Sequence, residues 1–195
     1  MRAALRRCAA LLVVVAPFGG TEATTVLRMD LERLCQGSGR ILRGTVLEIE
    51  NGTVDAGGGL LPTLTFIVRV DEAFKGEFAS EKEIPVVEIR TVGKLLQPRS
   101  GSARWLRSLP DPPALEVGSS YLLFVTVPSA IGLSTTVGLG QGCFHVSGDA
   151  EREEAVNELD NVGLGSPSRL EGVPSRGPIP YARLATEIRA IVAGS

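Results

Sequence analysis

Residues 64 to 76 read LTFIVRVDEAFKG. Leu64, Phe66, Val68 and Val70 fall on one side of this stretch, with Thr65, Arg69 and Asp71 on the other. Alternation with a period of two is the mark of a half-buried β-strand, because successive side chains leave opposite faces of the backbone. The same pattern recurs on both sides. RILRGTVLEIE (40–50) puts Ile41, Thr45, Leu47 and Ile49 on one face and Val46, Glu48 and Glu50 on the other. The following NGTVDAGGG is a turn by composition. EIPVVEIRTV (83–92) is a third strand, with Pro85 suiting an edge or a strand start. SSYLLFVTV (119–127) is apolar on both faces and so predicts a central strand. LSTTVGLG (133–140) and CFHVSG (143–148) complete the set, with Phe144 and Val146 facing the core and Cys143 and His145 on the opposite face. The expected fold is mainly β: five or six short strands in a small closed or nearly closed barrel, or a sandwich.

Helical patterns flank the strands. In TTVLRMDLERLCQGSG, Asp30 can cap a short helix and Gly37 can end it, with Leu31, Leu34 and Cys35 on one stripe. AEREEAVNELDN (150–161) predicts a second short helix, and GLGSPSRLEGVPSRGP (163–178) a linker. IPYARLATEIRAIV (179–192) predicts an amphipathic helix with Pro180 in its first turn, docked on the domain through Tyr181, Leu184, Ile188, Ile191 and Val192. Residues 93–118 keep no steady period and read as a long excursion that carries Trp105, Leu106 and Leu109.

The first residues predict the compartment. Arg2, Arg6 and Arg7 precede an apolar run from Ala9 to Ala16, and Thr21-Glu22-Ala23 suits signal cleavage. The run is shorter than the roughly 20 residues of a membrane-spanning helix. The expected organisation is a signal peptide over 1–23, a β domain over 24–147, and a linker and helix over 148–195, in a secreted or periplasmic protein without a transmembrane segment. Cleavage would remove three of the 20 basic and one of the 22 acidic residues, leaving 17 and 21. With no basic run, nucleic acid is a poor partner. The sequon Asn51-Gly52-Thr53 can carry a glycan in a host that glycosylates.

Cleavage would also remove Cys8, leaving Cys35 and Cys143. An isolated pair in an oxidising compartment is most simply a disulfide. Two readings compete with it. Cys143 and His145, the only histidine of the chain, share a strand face, and a Cys–His nucleophile would need an orienting third group as well. A zinc site from Cys35, Cys143 and His145 would need reduced cysteines and has no paired ligand spacing. The carboxylates Glu48, Glu50, Asp71, Glu72, Glu151, Glu153 and Glu154 read as solvated faces. GLGQG (138–142) lacks the Lys and Ser/Thr of a phosphate loop, and its glycines read as close backbone packing at a bend. No catalytic residue, metal site or cofactor is expected.

The order LERLCQGSGRILRGTVLEIE, FIVRVDEAFKG, LEVGSSYLLFV and GLGQGCFHV resembles a group of secreted bacterial proteins over roughly residues 24–147. Their strands carry V-x-G-x-V, V-x-E-x-x-K-G, G-x-x-x-L-L-F and G-x-G-x-F-x-V. That group is similar to the OB-fold barrel of netrin-like domains, which include the tissue inhibitors of metalloproteinases. The resemblance implies a barrel with its N-terminal segment tied to it by a disulfide. In the inhibitors a terminal cysteine chelates the protease zinc; cleavage after Ala23 would leave Thr24, Thr25 and Val26 there instead. The expected function is a secreted, non-enzymatic binding module whose partner is an extracellular protein, a metalloprotease being the class the resemblance implies. Thr24, Thr25, Val26 and Trp105 are the candidate partner-binding residues. A small-ligand or glycan-binding barrel is the alternative, with a hydrolase behind it.

Overall fold

The computed structural model describes residues 27–78, 85–93, 115–149, 151–165 and 176–194, together with the backbone of 95–96 and 104–105. The expected signal peptide, Thr24, Thr25 and Val26 lie outside the described residues, as does the side chain of Trp105.

A seven-stranded antiparallel sheet dominates. Its strands are β1 (Arg40–Asp55), β2 (Leu60–Lys75), β3 (Val86–Val92), β6 (Ser120–Val125), β7 (Cys143–Ser147), β8 (Glu154–Asn157) and β9 (Ile179–Pro180), in the order β3-β2-β1-β6-β7-β8-β9. A separate two-stranded pair, β4 (Leu95–Leu96) with β5 (Arg104–Trp105), lies in the excursion read as aperiodic. The helices are α1 (Leu31–Gly37) and α2 (Tyr181–Ala193). The strands outnumber the five or six expected, and their ladder pairing is that of an open sheet.

The second strand's inward set holds as read, with Leu64, Phe66, Val68 and Val70 buried, and Thr65, read as outward, is buried as well. The first does not hold one alternation. Three register shifts against β2, the last between Val46 and Glu48, switch which residues face in. The even-numbered Leu42 and Val46 therefore share one core with the odd-numbered Ile49, and Leu47 is exposed. Gly44 sits where the strands crowd: a Cβ there would strike the Arg69 carbonyl and the Val68 side chain. The turn after β1 is also shorter than composition suggests. Asn51 to Asp55 continue the strand, and only Ala56–Gly59 turn, closed by the Ala56 N–H donating to the Gly59 carbonyl (3.1 Å).

The predicted helix over 150–161 is instead a hairpin onto β8. Gly148, at φ 107°, lets the chain reverse. Ala155 and Asn157 then go inward opposite Val146 and Phe144. Cross-strand pairing with a buried neighbour outweighs a weak local helical preference. LSTTVGLG is no regular strand either. It makes one bridge, Thr136 to Val125, before a 3-10 turn over Leu139–Gly142.

Two cores follow from this layout. The first joins α1 and α2 to one face of the sheet: Leu34, Leu184 and Ile188 meet Leu122, Phe124, Phe144 and Val146. The second gathers Leu42, Val46, Phe66, Val68, Ile89 and Leu123 on the other face. Each buried aliphatic or aromatic side chain contributes about 1.5–3 kcal/mol of transfer free energy. Asp30 caps α1 as expected, accepting from the Arg33 N–H (2.8 Å). The Ser38 hydroxyl and Lys75 Nζ donate to the last-turn carbonyls of Leu34 (2.6 Å) and Cys35 (2.9 Å). A lysine charge there also complements the helix dipole. No helix among the described residues is long and apolar enough to cross a membrane.

Candidate functional site

The period-two reading of CFHVS holds: Phe144 and Val146 join the first core, Cys143 joins the second, and His145 is exposed. Pairing with β6 adds a residue that the local sequence does not name. Tyr121 lies directly across from His145, and Leu123 across from Cys143. The Tyr121 and His145 rings meet edge to face, with centroids 5.4 Å apart at 66°. Glu116, Val156, Asn157 and Glu158 complete a groove of about 370 Å³ around Tyr121, Cys143 and His145.

Its walls are fixed from behind. The Tyr121 hydroxyl accepts the Glu116 N–H at 3.0 Å. Asn157 donates through Nδ2 to the Gln141 carbonyl (3.0 Å), and its Oδ1 accepts from the N–H groups of Leu159 (3.0 Å) and Asn161 (2.8 Å). Burial raises the Tyr121 hydroxyl above its ordinary pKa. Burial also pushes the Cys143 thiol far up, and the Glu158 carboxylate adds to the effect. Burial thus favours the neutral thiol at Cys143, whereas nucleophilic attack requires the thiolate. No group of three or more His, Cys, Asp or Glu among the described residues is placed to hold a metal ion.

The expected Cys35–Cys143 disulfide is not formed in this structure. Cys35, on α1, packs in the first core, while Cys143 packs in the second. Their side chains lie on opposite faces of the sheet, whereas a disulfide needs Cβ atoms that point toward each other. The same separation takes Cys35 out of any zinc site with His145.

A different residue ties the N-terminal segment to this region. Gln141, buried in GLGQG, accepts the Met29 N–H through Oε1 (2.9 Å) and donates through Nε2 to the Leu27 carbonyl (3.0 Å). One amide thus holds donor and acceptor of the main chain, as a neighbouring strand would. The glycines around it allow the close approach. Gly138 takes φ 64°, and a Cβ on Gly140 would collide with the Glu158 carboxylate.

A second polar cluster holds α2. Arg43 pairs with Glu153 through both carboxylate oxygens (2.7 and 2.5 Å) and lies 4.6 Å over the Tyr181 ring. The Tyr181 hydroxyl donates to Glu72 Oε2 (2.5 Å), and Glu72 also accepts from Arg189. Asp71 accepts from Arg69 (2.8 Å) and from the Thr45 hydroxyl (2.7 Å). Glu72, Glu153 and Asp71 therefore hold the fold together, while Glu48 and Glu50 are solvated as read. No family model matches the chain, and no curated protein matches it in sequence.

Proposed function

We propose that the protein is a secreted binding module, built on an OB-like barrel, that presents its N-terminal segment to an extracellular protein partner. The observation that carries this reading is the grip of Gln141 on Leu27 and Met29. It fixes the main chain immediately after Thr24, Thr25 and Val26, the residues that signal cleavage would leave at the terminus. A terminus held at its base loses less conformational entropy on binding than a loose one. A metalloprotease is the partner class proposed, since a fixed terminal amine and carbonyl can chelate a catalytic zinc. The barrel reading is supported by the chain between β6 and β7. There Val137 and Thr126 donate to Phe124 and Thr135 (2.8 and 2.9 Å), and the Ser134 N–H reaches the Arg90 carbonyl of β3 (2.7 Å). These bonds draw the β3 edge of the sheet toward β6.

The test uses mature protein of known N-terminus, incubated with extracellular metalloproteases. Inhibition is expected, and one alanine added ahead of the terminus should abolish it by displacing the chelating amine. Unchanged protease activity in every pairing would overturn the inhibitor reading.

A further inference from the structure

The groove beside His145 has an unbalanced composition. Two carboxylate residues, Glu116 and Glu158, line it, and no arginine or lysine among the described residues does. No ion pair engages either carboxylate among the described residues. Its aromatic wall is Tyr121, 5% exposed, with the exposed imidazole of His145 set against the ring edge. The Cys143 side chain also lines the groove, 5% exposed, and its sulfur makes no hydrogen bond among the described residues. Asn157, by contrast, spends its amide on the protein backbone. An open groove thus combines negative charge that is unpaired among the described residues, two π-systems and one buried thiol without a hydrogen bond among the described residues. The carboxylates and the rings favour the same kind of guest. Carboxylates form their strongest hydrogen bonds with cationic N–H donors, and ring faces attract cations.

We propose that this groove binds an organic cation, a guanidinium or primary ammonium group, between the Glu116 and Glu158 carboxylates and against the Tyr121–His145 pair. Such a head group fits easily in about 370 Å³, with room for a short stem. Its source can be a free amine or a basic side chain on a polypeptide. This proposal does not rest on the N-terminal segment engaging a protease, so either reading can fail without the other.

The chain has one histidine, so its ring protons give isolated signals in a proton NMR titration. Agmatine is the free-amine probe, and an acetylated Gly-Arg-Gly amide the peptide-borne one. Both should shift the His145 signals saturably at millimolar concentration, with sodium chloride at equal ionic strength as the control. Tighter binding of the peptide would assign the source to a polypeptide, and tighter binding of agmatine to a free amine. The doubly substituted Glu116→Gln/Glu158→Gln protein should bind about tenfold more weakly, since a hydrogen bond to a charged group exceeds a neutral one by about 1.4 kcal/mol. Shifts no larger than those of sodium chloride, seen with the unmodified protein, would overturn the proposal. So would undiminished affinity in the folded double variant.

Discussion

Two tyrosines, Tyr181 and Tyr121, sit in matching surroundings with opposite electrostatics. Each is a buried ring with carboxylate residues close by. Around Tyr181, Glu153 is answered by Arg43, and Glu72 by Arg189. Around Tyr121, Glu116 and Glu158 have no such answer among the described residues. The Tyr181 cluster is complete in itself and joins strands β1 and β2 to α2. The Tyr121 cluster leaves charge open toward a groove. The two should therefore respond differently to the same kinds of substitution: disruption should cost stability at the first and binding at the second.

Tyr181→Ala is expected to have the largest effect, a loss of about 3–5 kcal/mol in denaturant unfolding, the range for a buried aromatic truncated to Ala. Tyr181→Phe keeps the ring beneath Arg43 but loses the bond to Glu72, for about 1–2 kcal/mol. Gln141→Ala comes next. It strands the Met29 N–H and the Leu27 carbonyl, for a loss of about 1–3 kcal/mol. Backbone amide exchange at Met29 should accelerate in that variant, and the proposed protease inhibition should weaken. Unchanged exchange would show that other groups hold the segment. In the Tyr121 cluster, Glu158→Gln should change stability by less than about 0.5 kcal/mol, because no ion pair is lost. A cost as large as that of breaking the Arg43–Glu153 pair would erase the contrast between the clusters.

Much of this architecture is legible locally. The cap at Asp30, the alternation of Leu64 to Val70 and the stripe of α2 are short-range features, and each forms as its residues dictate. Cys143 and His145 share a face because a strand has a period of two. What fails to show locally is whatever depends on register. Tyr121 meets His145 only through the β6–β7 pairing. Arg43 meets Glu153 across 110 positions, and Tyr181 meets Glu72 across 109. The bulges of β1 show in sequence only as Gly44, and the residues of β8 carry a helical composition that hairpin pairing overrides. The cysteine pair shows the same limit. Both cysteines are buried, but burial does not say on which side of a sheet.

The smallest expected effect is on pH dependence, and it separates the clusters once more. Burial holds both the Cys143 thiol and the Tyr181 hydroxyl above their ordinary values, and the bond to Glu72 raises Tyr181 further. In each case the neutral form is favoured in the folded state. The folded chain then keeps a proton that the unfolded chain gives up, so stability is intact at neutral pH and falls as pH rises. The fall begins near 9, where an unfolded thiol titrates, and steepens near 10, where an unfolded tyrosine does. Each group adds a slope of at most about 1.4 kcal/mol per pH unit. Unfolding free energies measured in urea across this window should therefore decline in two stages. Cys143→Ala should flatten the first stage and leave the second, and Tyr181→Phe should reduce the second and leave the first. Absence of a first stage in the unmodified protein would mean that the thiol in the groove ionises in the folded protein as it does in the unfolded one, and Cys143 would then regain its standing as a nucleophile beside His145.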